Sequence, residues 1–400
     1  MSKPNLYTRL AGMFSSTQKA KTSFKPSTLP KPTNSPVSAP SKTVNQKVDD
    51  LLDEKDSRIL VEKFKHLSQY SYFRERCREV YKLTIHRLAV AKQYELIEEA
   101  LESQKKYVSS EGFASRIIHL YGKSGMFDHA YKLFDELPNK KRTQGVKCFN
   151  VLLGAAANSE KYDKVVELFR ELPVKLSIKP NVDCYNTTMH ALCKMGLVDE
   201  AVLLLDEMKE NSLDISVVSY NTLLCAYYEA GECEKGNKLW ERMVKDGVAP
   251  DIHSYNFKIR GLINDGKLPE ALELAMQLKD KGVKPNVGSY NVVIQGLIKD
   301  DDLVSVKEWY GKLLESRLLP NKTTFGILVP FLCQRGDYGF AFEVCEIMLK
   351  RRFSLIDEAI LQNVVDGLAM NSTIDKAKVL VELGLSNSYA AYHLVMPASV

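Results

Sequence analysis

The stretch "SYNTLLCAYYEAGECEKGNKLWERMVKDGVAPD" runs from Ser219 to Asp251, and two near copies follow it. They are "SYNFKIRGLINDGKLPEALELAMQLKDKGVKPN", Ser254 to Asn286, and "SYNVVIQGLIKDDDLVSVKEWYGKLLESRLLPN", Ser289 to Asn321. The Tyr-Asn pair thus returns every 35 residues. A fixed period of this length marks a repeat architecture. It overrides the two or three ordinary domains that 400 residues would otherwise suggest.

With the Asn placed at position five, the clear units are 182–216, 217–251, 252–286 and 287–321. Units 110–145 and 146–181 carry one residue more, and the extra residue of 146–181 is assigned to its closing loop, "PVKLSIKPN". Unit 322–356 keeps the length but loses the Tyr-Asn. The array therefore spans 110–356, flanked by degenerate units at 49–109 and 357–400.

Each unit reads as two helices. In 252–286 the first is expected from about Tyr255 to Asn264, ending at Gly266, which tolerates positive φ. Pro269 suits the first turn of the second helix, and Leu268, Ala271, Leu272, Ala275 and Leu278 follow at helical spacing. Gly282 and Pro285 end it. Gly196, Gly231, Gly266 and Gly336 share one position, and Ala201, Ala271 and Ala341 another. A hairpin this short cannot bury its apolar face alone. Stacking creates one continuous core, so the expected fold is all-α, a right-handed α-solenoid of about 8–9 helix-turn-helix units with a concave face.

The net charge of +5 is unevenly spread. Residues 1–48 contain eight Lys or Arg and no Asp or Glu, so the remainder sums to −3. This leader is Ser-, Thr- and Pro-rich, and Leu6, Leu10, Met13 and Phe14 share a helical face beside Arg9. It reads as an organelle transit peptide, mitochondrial before plastid, followed by a disordered basic stretch; a plain disordered basic tail is the alternative. No apolar run approaches the roughly 20 residues of a membrane span.

The eight cysteines form no C-x-x-C pair and mostly lie in apolar helical runs, as small hydrophobes do. No H-x-E with a later C-x-x-C, no His-carboxylate metal spacing and no phosphate-cradling glycine motif is present. The reading is a non-enzyme without metal, cofactor or small-molecule substrate.

Tyr185-Asn186, Tyr220-Asn221, Tyr255-Asn256 and Tyr290-Asn291 open units of one length, three of which end Pro-Asp or Pro-Asn. This pattern resembles the pentatricopeptide repeat family, in its plain 35-residue P class, over Ser110 to Ile356 and more loosely over Cys77 to Ala391. The Trp-Leu-Gly-Tyr spacing of the 34-residue tetratricopeptide repeat is absent. The resemblance implies binding of single-stranded RNA, one unit facing one base, read by the fifth and last residues. The pairs here are Asn150 with Asn181, Asn186 with Ser216, Asn221 with Asp251, Asn256 with Asn286, and Asn291 with Asn321. By resemblance, Asn-Asp favours uracil, Asn-Asn accepts either pyrimidine and Asn-Ser leans to cytosine. Ala114 with Gly145 and Gly326 with Ile356 discriminate nothing. Of the second positions, only Val218 has the aliphatic side chain that sandwiches a base in the family; Lys147, Asp183, His253 and Gly288 do not. Lys194 and Lys299, near the ends of first helices, and the loop runs "NKKR" (Asn139–Arg142) and "KRR" (Lys350–Arg352) are the local basic candidates.

Two readings of the Asn residues stay open, since Asn at a helix start is also an N-cap. Three functions are compatible with the pattern. The first is a mitochondrial RNA-binding protein fixed in the small ribosomal subunit, contacting rRNA and ribosomal proteins; short P-class members with few readable units resemble the repeat subunits of plant mitochondrial ribosomes. The second is a free factor binding a pyrimidine-rich organelle transcript. The third is a protein-binding scaffold.

Overall fold

A computed structural model describes residues 42–137, 144–350, 357–386 and 392–397. Among these residues there are helices and turns but no strand, and no helix is long and apolar enough to cross a membrane. The chain forms two compact units, one ending at Met195 and one beginning at Gly196. The first 41 residues, which hold most of the basic leader, and "NKKR" lie outside the described residues, as do Arg351, Arg352 and Ile356.

Ordered structure starts earlier than expected. The helix Lys42–Leu52 begins inside the segment read as leader, because Val48 and Leu51 bury one helical face against the helix Ser57–Leu67. Helix Ser71–Arg76 and a first hairpin, Arg78–Val90 with Tyr94–Glu102, complete this N-terminal region. Repeat hairpins follow. Their first helices in the N-terminal unit are Glu111–Lys123, Val146–Asn158 and Val182–Lys194. In the C-terminal unit they are Val217–Glu229, Ile252–Asn264, Val287–Lys299, Lys322–Gln334 and Glu358–Met370. Within each unit, every first helix packs on the first helix of the next pair, forming one layer. The second helices, such as Cys233–Lys245 and Leu268–Gln277, cover it.

One backbone feature sets the register. Counting from the first residue of each first helix, position fifteen is left-handed in all nine described pairs: Lys92, Gly125, Glu160, Gly196, Gly231, Gly266, Asp301, Gly336 and Ser372, with φ between 54° and 78°. Glycine takes this conformation without strain, whereas Lys, Glu, Asp and Ser hold it at a cost. The shared position corrects two unit boundaries. The first helix of the pair read as 110–145 begins at Glu111 with Ser110 as its N-cap, so its fifth residue is Ser115 and Ala114 is the buried fourth. The last first helix begins at Glu358 with Asp357 as its N-cap, so Asp357, not Ile356, stands opposite Gly326. The extra residue of 146–181 also lies elsewhere than expected. The second helix runs Tyr162–Leu176 through Pro173 and ends at left-handed Ser177, so "PVKL" is helical rather than loop.

Contact between neighbouring first helices follows a size rule. In three pairs position ten of one first helix meets position twelve of the one before. A Cβ on Gly261 would lie 2.2 Å from Tyr228, and one on Gly296 would lie 2.7 Å from Ile263. In the N-terminal unit the sizes are exchanged, with Gly122 at position twelve facing Ala155 at position ten. The aromatic at position four enters the core: Tyr81, Phe149, Tyr220 and Phe325 are fully buried. Tyr290 Oη lies 2.6 Å from Ser316 Oγ, and Tyr220 donates to Asp246, so in these two pairs the ring also ties the first helix to the end of its own second helix. Residues 392–397 close the last pair. Tyr392 and Leu394 point inward, while the main chain of His393 and Val395 bonds to Glu358 and Gln362.

Gly261→Ala is expected to destabilise the C-terminal unit by about 1–3 kcal/mol, because Tyr228 is held on both sides and cannot move away. Gly311→Ala, in the second helix Leu303–Glu315 where a Cβ meets open space, is expected to stabilise by about 0.5–1 kcal/mol. Thermal melting of the two variants checks the opposite signs.

Candidate nucleic-acid interface

Tyr and Asn of the recurring pair face different ways because successive helical residues differ by about 100°. The Tyr goes to the core and the Asn goes to the seam between consecutive first helices. In the C-terminal unit three successive seams, from Val217–Glu229 to Lys322–Gln334, share one pairing of the fifth and last residues. Asn221 Nδ2 donates to Asp251 Oδ1 at 3.0 Å, and Ser254 Oγ donates to Asn221 Oδ1 at 2.6 Å. Asn256 Nδ2 reaches Asn286 Oδ1 at 3.4 Å. Asn291 Nδ2 reaches Asn321 Oδ1 at 3.3 Å, and Thr324 Oγ1 donates to Asn291 Oδ1 at 2.8 Å. The fifth residue of one unit, its last residue and the third residue of the next thus form one polar cluster.

The last residues are also N-caps. Asp251, Asn286 and Asn321 each accept from the backbone N–H three residues on through Oδ1 and complete a capping box with Ser254, Ser289 and Thr324. Capping and pairing therefore coexist on one atom. Oδ1 is anchored, and the other terminal atom stands outside these bonds: a carboxylate oxygen in Asp251, an amide N–H₂ in Asn286 and Asn321. The former is an acceptor and the latter a donor.

The Asn256–Asn286 and Asn291–Asn321 clusters line a groove, and the Asn221–Asp251 cluster lies outside its lining. His253, Asn256, Arg260, Asn286, Asn291, Gln295 and Asn321 border a concavity of about 270 Å³, together with Gly288, Thr323 and Ile327. By position the lining comes from the second, fifth, sixth, ninth and last residues of the units. Asn256 is buried, yet its Oδ1 has no hydrogen-bond partner, and neither has Arg260 Nε. An unsatisfied buried amide oxygen is costly unless something polar reaches it.

The remaining expected residues sit as follows. Asn150 and Asn186 are half-buried on their first helices. Asn181 caps Val182–Lys194 by accepting from the Cys184 N–H at 3.1 Å, and Ser216 is the N-cap of Val217–Glu229, with its Oγ 3.3 Å from Ser219 Oγ. In the corrected unit Glu111 does the capping from one repeat away: its Oε1 accepts from Lys147 N at 2.8 Å, where Gly145 has no side chain to do so. Val218 is exposed. Lys194 is exposed at the end of its helix, near His190, and Lys299 Nζ bonds Asn264 Oδ1 at 2.9 Å. Position three and position nine were not singled out from the sequence. The signal for the former was available, since Asp-x-x-Ser, Asn-x-x-Ser and Asn-x-x-Thr at a helix start spell a cap.

Cys148, Cys184, Cys233 and Cys345 are core occupants, and Cys77, Cys193, Cys225 and Cys333 are half-buried. Burial pushes the Cys148 thiol up to about 12 and the Cys184 thiol up to about 11, so both stay protonated at neutral pH. Among the described residues no group of His, Cys, Asp and Glu could hold a metal ion.

Comparison with known proteins bears on the repeats. Family models described as PPR repeat match residues 115–141, 147–175, 176–209 and 288–318, and one described as PPR repeat family matches 215–264 and 250–299. Among curated proteins of Arabidopsis thaliana, the chain is 48% identical over 163 residues to small ribosomal subunit protein mS79 (rPPR3b), covering 40% of this chain and 41% of that protein. It is 47% identical over 179 residues to small ribosomal subunit protein mS78 (rPPR3a), covering 44% of each. The match thus spans less than half the length of either relative. Among solved structures, the pentatricopeptide repeat protein PPR10 from maize aligns over 87% of this chain and 59% of that one, at 18% identity and a TM-score of 0.46.

The Asp251 cluster carries a pH dependence. Burial opposes ionisation, but the Ser254 N–H, the Asn221 amide, the Ser254 hydroxyl and His253 outweigh it and hold the carboxyl below its ordinary 3.8. A depressed carboxylate contributes stability above its unfolded pKa and loses it as pH falls through the folded value. Asp251→Asn keeps the cap without the charge. Its melting temperature is therefore expected to fall less than that of the wild type between pH 6 and pH 3; parallel curves would show that the charge adds nothing.

Proposed function

We propose that this chain, which belongs to the pentatricopeptide repeat family, is a non-catalytic RNA-binding component of the small subunit of the mitochondrial ribosome. The observation that carries RNA binding is the groove with its row of paired amides and the unpartnered Oδ1 of buried Asn256. Similarity to two small-ribosomal-subunit proteins supports the ribosomal assignment, and 31% identity over 140 residues to an A. thaliana pentatricopeptide protein named as mitochondrial supports the compartment.

The mechanism follows from the anchored Oδ1 atoms. A base entering the groove meets the outer atom of the last residue and the second N–H of the fifth. Uracil presents an N3–H donor on its Watson–Crick edge, which suits the acceptor of Asp251. Cytosine presents N3 as an acceptor, which suits the N–H₂ of Asn286 or Asn321, and the carbonyl oxygens of uracil accept from the same group. Asn150 with Asn181 offers similar chemistry. Val218 is placed to pack on a base face, a contact of roughly 1–3 kcal/mol for aromatic platforms and less for one aliphatic side chain. Lys194 and Lys299 contribute charge for phosphates, which position the strand without specifying it. With few stacking side chains, the array holds an RNA already placed by its neighbours rather than searching for a sequence. In this reading ribosomal proteins are the other partners.

Two experiments test this. In a sucrose gradient of mitochondrial lysate the protein is expected with the small subunit at high magnesium and in lighter fractions after chelation; a light position with ribosomes intact refutes the ribosomal role. Asn221→Ala with Asp251→Ala is expected to reduce the preference of the purified protein for uracil at one site by about 1–3 kcal/mol, measured on oligonucleotides differing at one base. An unaltered preference across that panel excludes base reading by this pair.

A further inference from the structure

The groove of the C-terminal unit is lined by positions two, five, six and nine, and the same positions can be followed through the N-terminal unit. There they change character. Positions five and nine of Arg78–Val90 are Lys82 and His86; positions six, nine and thirteen of Glu111–Lys123 are Arg116, His119 and Lys123. The corresponding residues in Ile252–Asn264 and Val287–Lys299 are mostly Phe, Val, Asn and Gln, with Arg260 and Lys299 the basic ones.

We infer that Lys82, Arg116, His119 and Lys123 form a phosphate-binding surface that holds the backbone of single-stranded RNA without reading its bases. The inference rests on the RNA-binding reading above and extends it to a region that begins before the first family match at residue 115.

Three observations support it. The Arg116 guanidinium is half-buried between aromatic rings, 5.4 Å from the Phe113 centroid and 5.7 Å from that of Tyr81, and donates to the Arg74 carbonyl oxygen. Arg74 in turn lies 4.2 Å over the Tyr107 ring. Among the described residues neither Arg74, Arg78 nor Arg116 pairs with a carboxylate; Lys82 pairs with Glu79 at 2.8 Å, an exposed contact on its own helix. Like charges are moreover held together: Arg78 adds to burial in lowering the pKa of Arg116, and Lys123 and Lys82 both lie close enough to His119 to add to burial in favouring its neutral imidazole, which can still donate to a phosphate oxygen. Such crowding is self-repulsive, and a bound polyanion relieves it. Finally, the guanidinium is fixed by its rings and carbonyl bond, so little side-chain freedom is lost when a phosphate arrives.

The test is fluorescence anisotropy of the full chain with oligo(U), oligo(C) and oligo(A) between 50 and 200 mM salt. Arg116→Gln with Lys123→Gln is expected to weaken binding to all three by the same factor. It should also flatten the slope of log K against log salt by about 1.4, roughly 0.7 for each lost phosphate contact. Because Arg116 packs on rings, Lys82→Gln with Lys123→Gln serves as a second variant that leaves the packing alone, and the same direction is expected. Wild-type affinity and slope in both variants overturn the inference. If the Asn221→Ala, Asp251→Ala variant then loses base preference, base reading survives while this surface falls. Absence of RNA binding by the wild type removes both.

Discussion

A single left-handed residue, fifteen places into each pair, is the constraint on which the repeat depends. It stops every first helix at the same length and turns the chain back at the same angle. Since helices of equal length stack in parallel only when equivalent residues meet, this turn brings position ten to position twelve and position five to the next unit's position three. Its recurrence at Lys92, Glu160, Asp301 and Ser372, where an L side chain costs about 1–2 kcal/mol, indicates that stacking energy outweighs local preference. Sequence conveys the turn where Gly marks it and hides it where Glu160 or Asp301 takes its place.

That accounts for which boundaries were legible. The 35-residue period, the helical hairpins and the Tyr-Asn register from 182 to 321 could be read directly, because apolar periodicity agreed with Gly punctuation up to 286 and with the Tyr-Asn and Pro-Asn marks beyond it. At the two ends they did not. Ala114 occupies a position that Tyr or Phe fills in most pairs, so the Tyr-Asn mark is missing there and Gly125, fifteenth from a start at 111, was the remaining signal. "PVKLSIKPN" looked like a loop because of Pro173, but the helix tolerates it and continues to Leu176. Val48 and Leu51 were too few to reveal a helix in a stretch otherwise free of apolar pattern.

The site was legible as a list of residues, not as a set of atoms. Position five and the last position could be named from the repeat. That their Oδ1 atoms are already committed to a cap and a neighbour depends on packing between consecutive units. The hydroxyl at position three matters for the same reason. Ser254 and Thr324 donate to the Oδ1 of Asn221 and of Asn291, respectively, whereas Asn256 beside Ser289 keeps its Oδ1 unpartnered. Three seams with one motif therefore offer two kinds of polar edge.

Capping and recognition are usually set against each other as explanations for an Asn at a helix start. Here they are consecutive uses of one side chain. A carboxamide has two terminal atoms, and a cap consumes only the oxygen. By fixing that oxygen to a backbone N–H, the helix orients the second atom at no further entropic cost, because the side chain is already ordered. An Asp in the same cap is oriented equally well and presents the opposite polarity. The choice between Asn and Asp at the end of a unit thus changes what the groove offers a base while leaving the helix start intact. It follows that such positions can diverge between repeats with little effect on folding, whereas Tyr228 against Gly236 and Gly261 leaves no room for change.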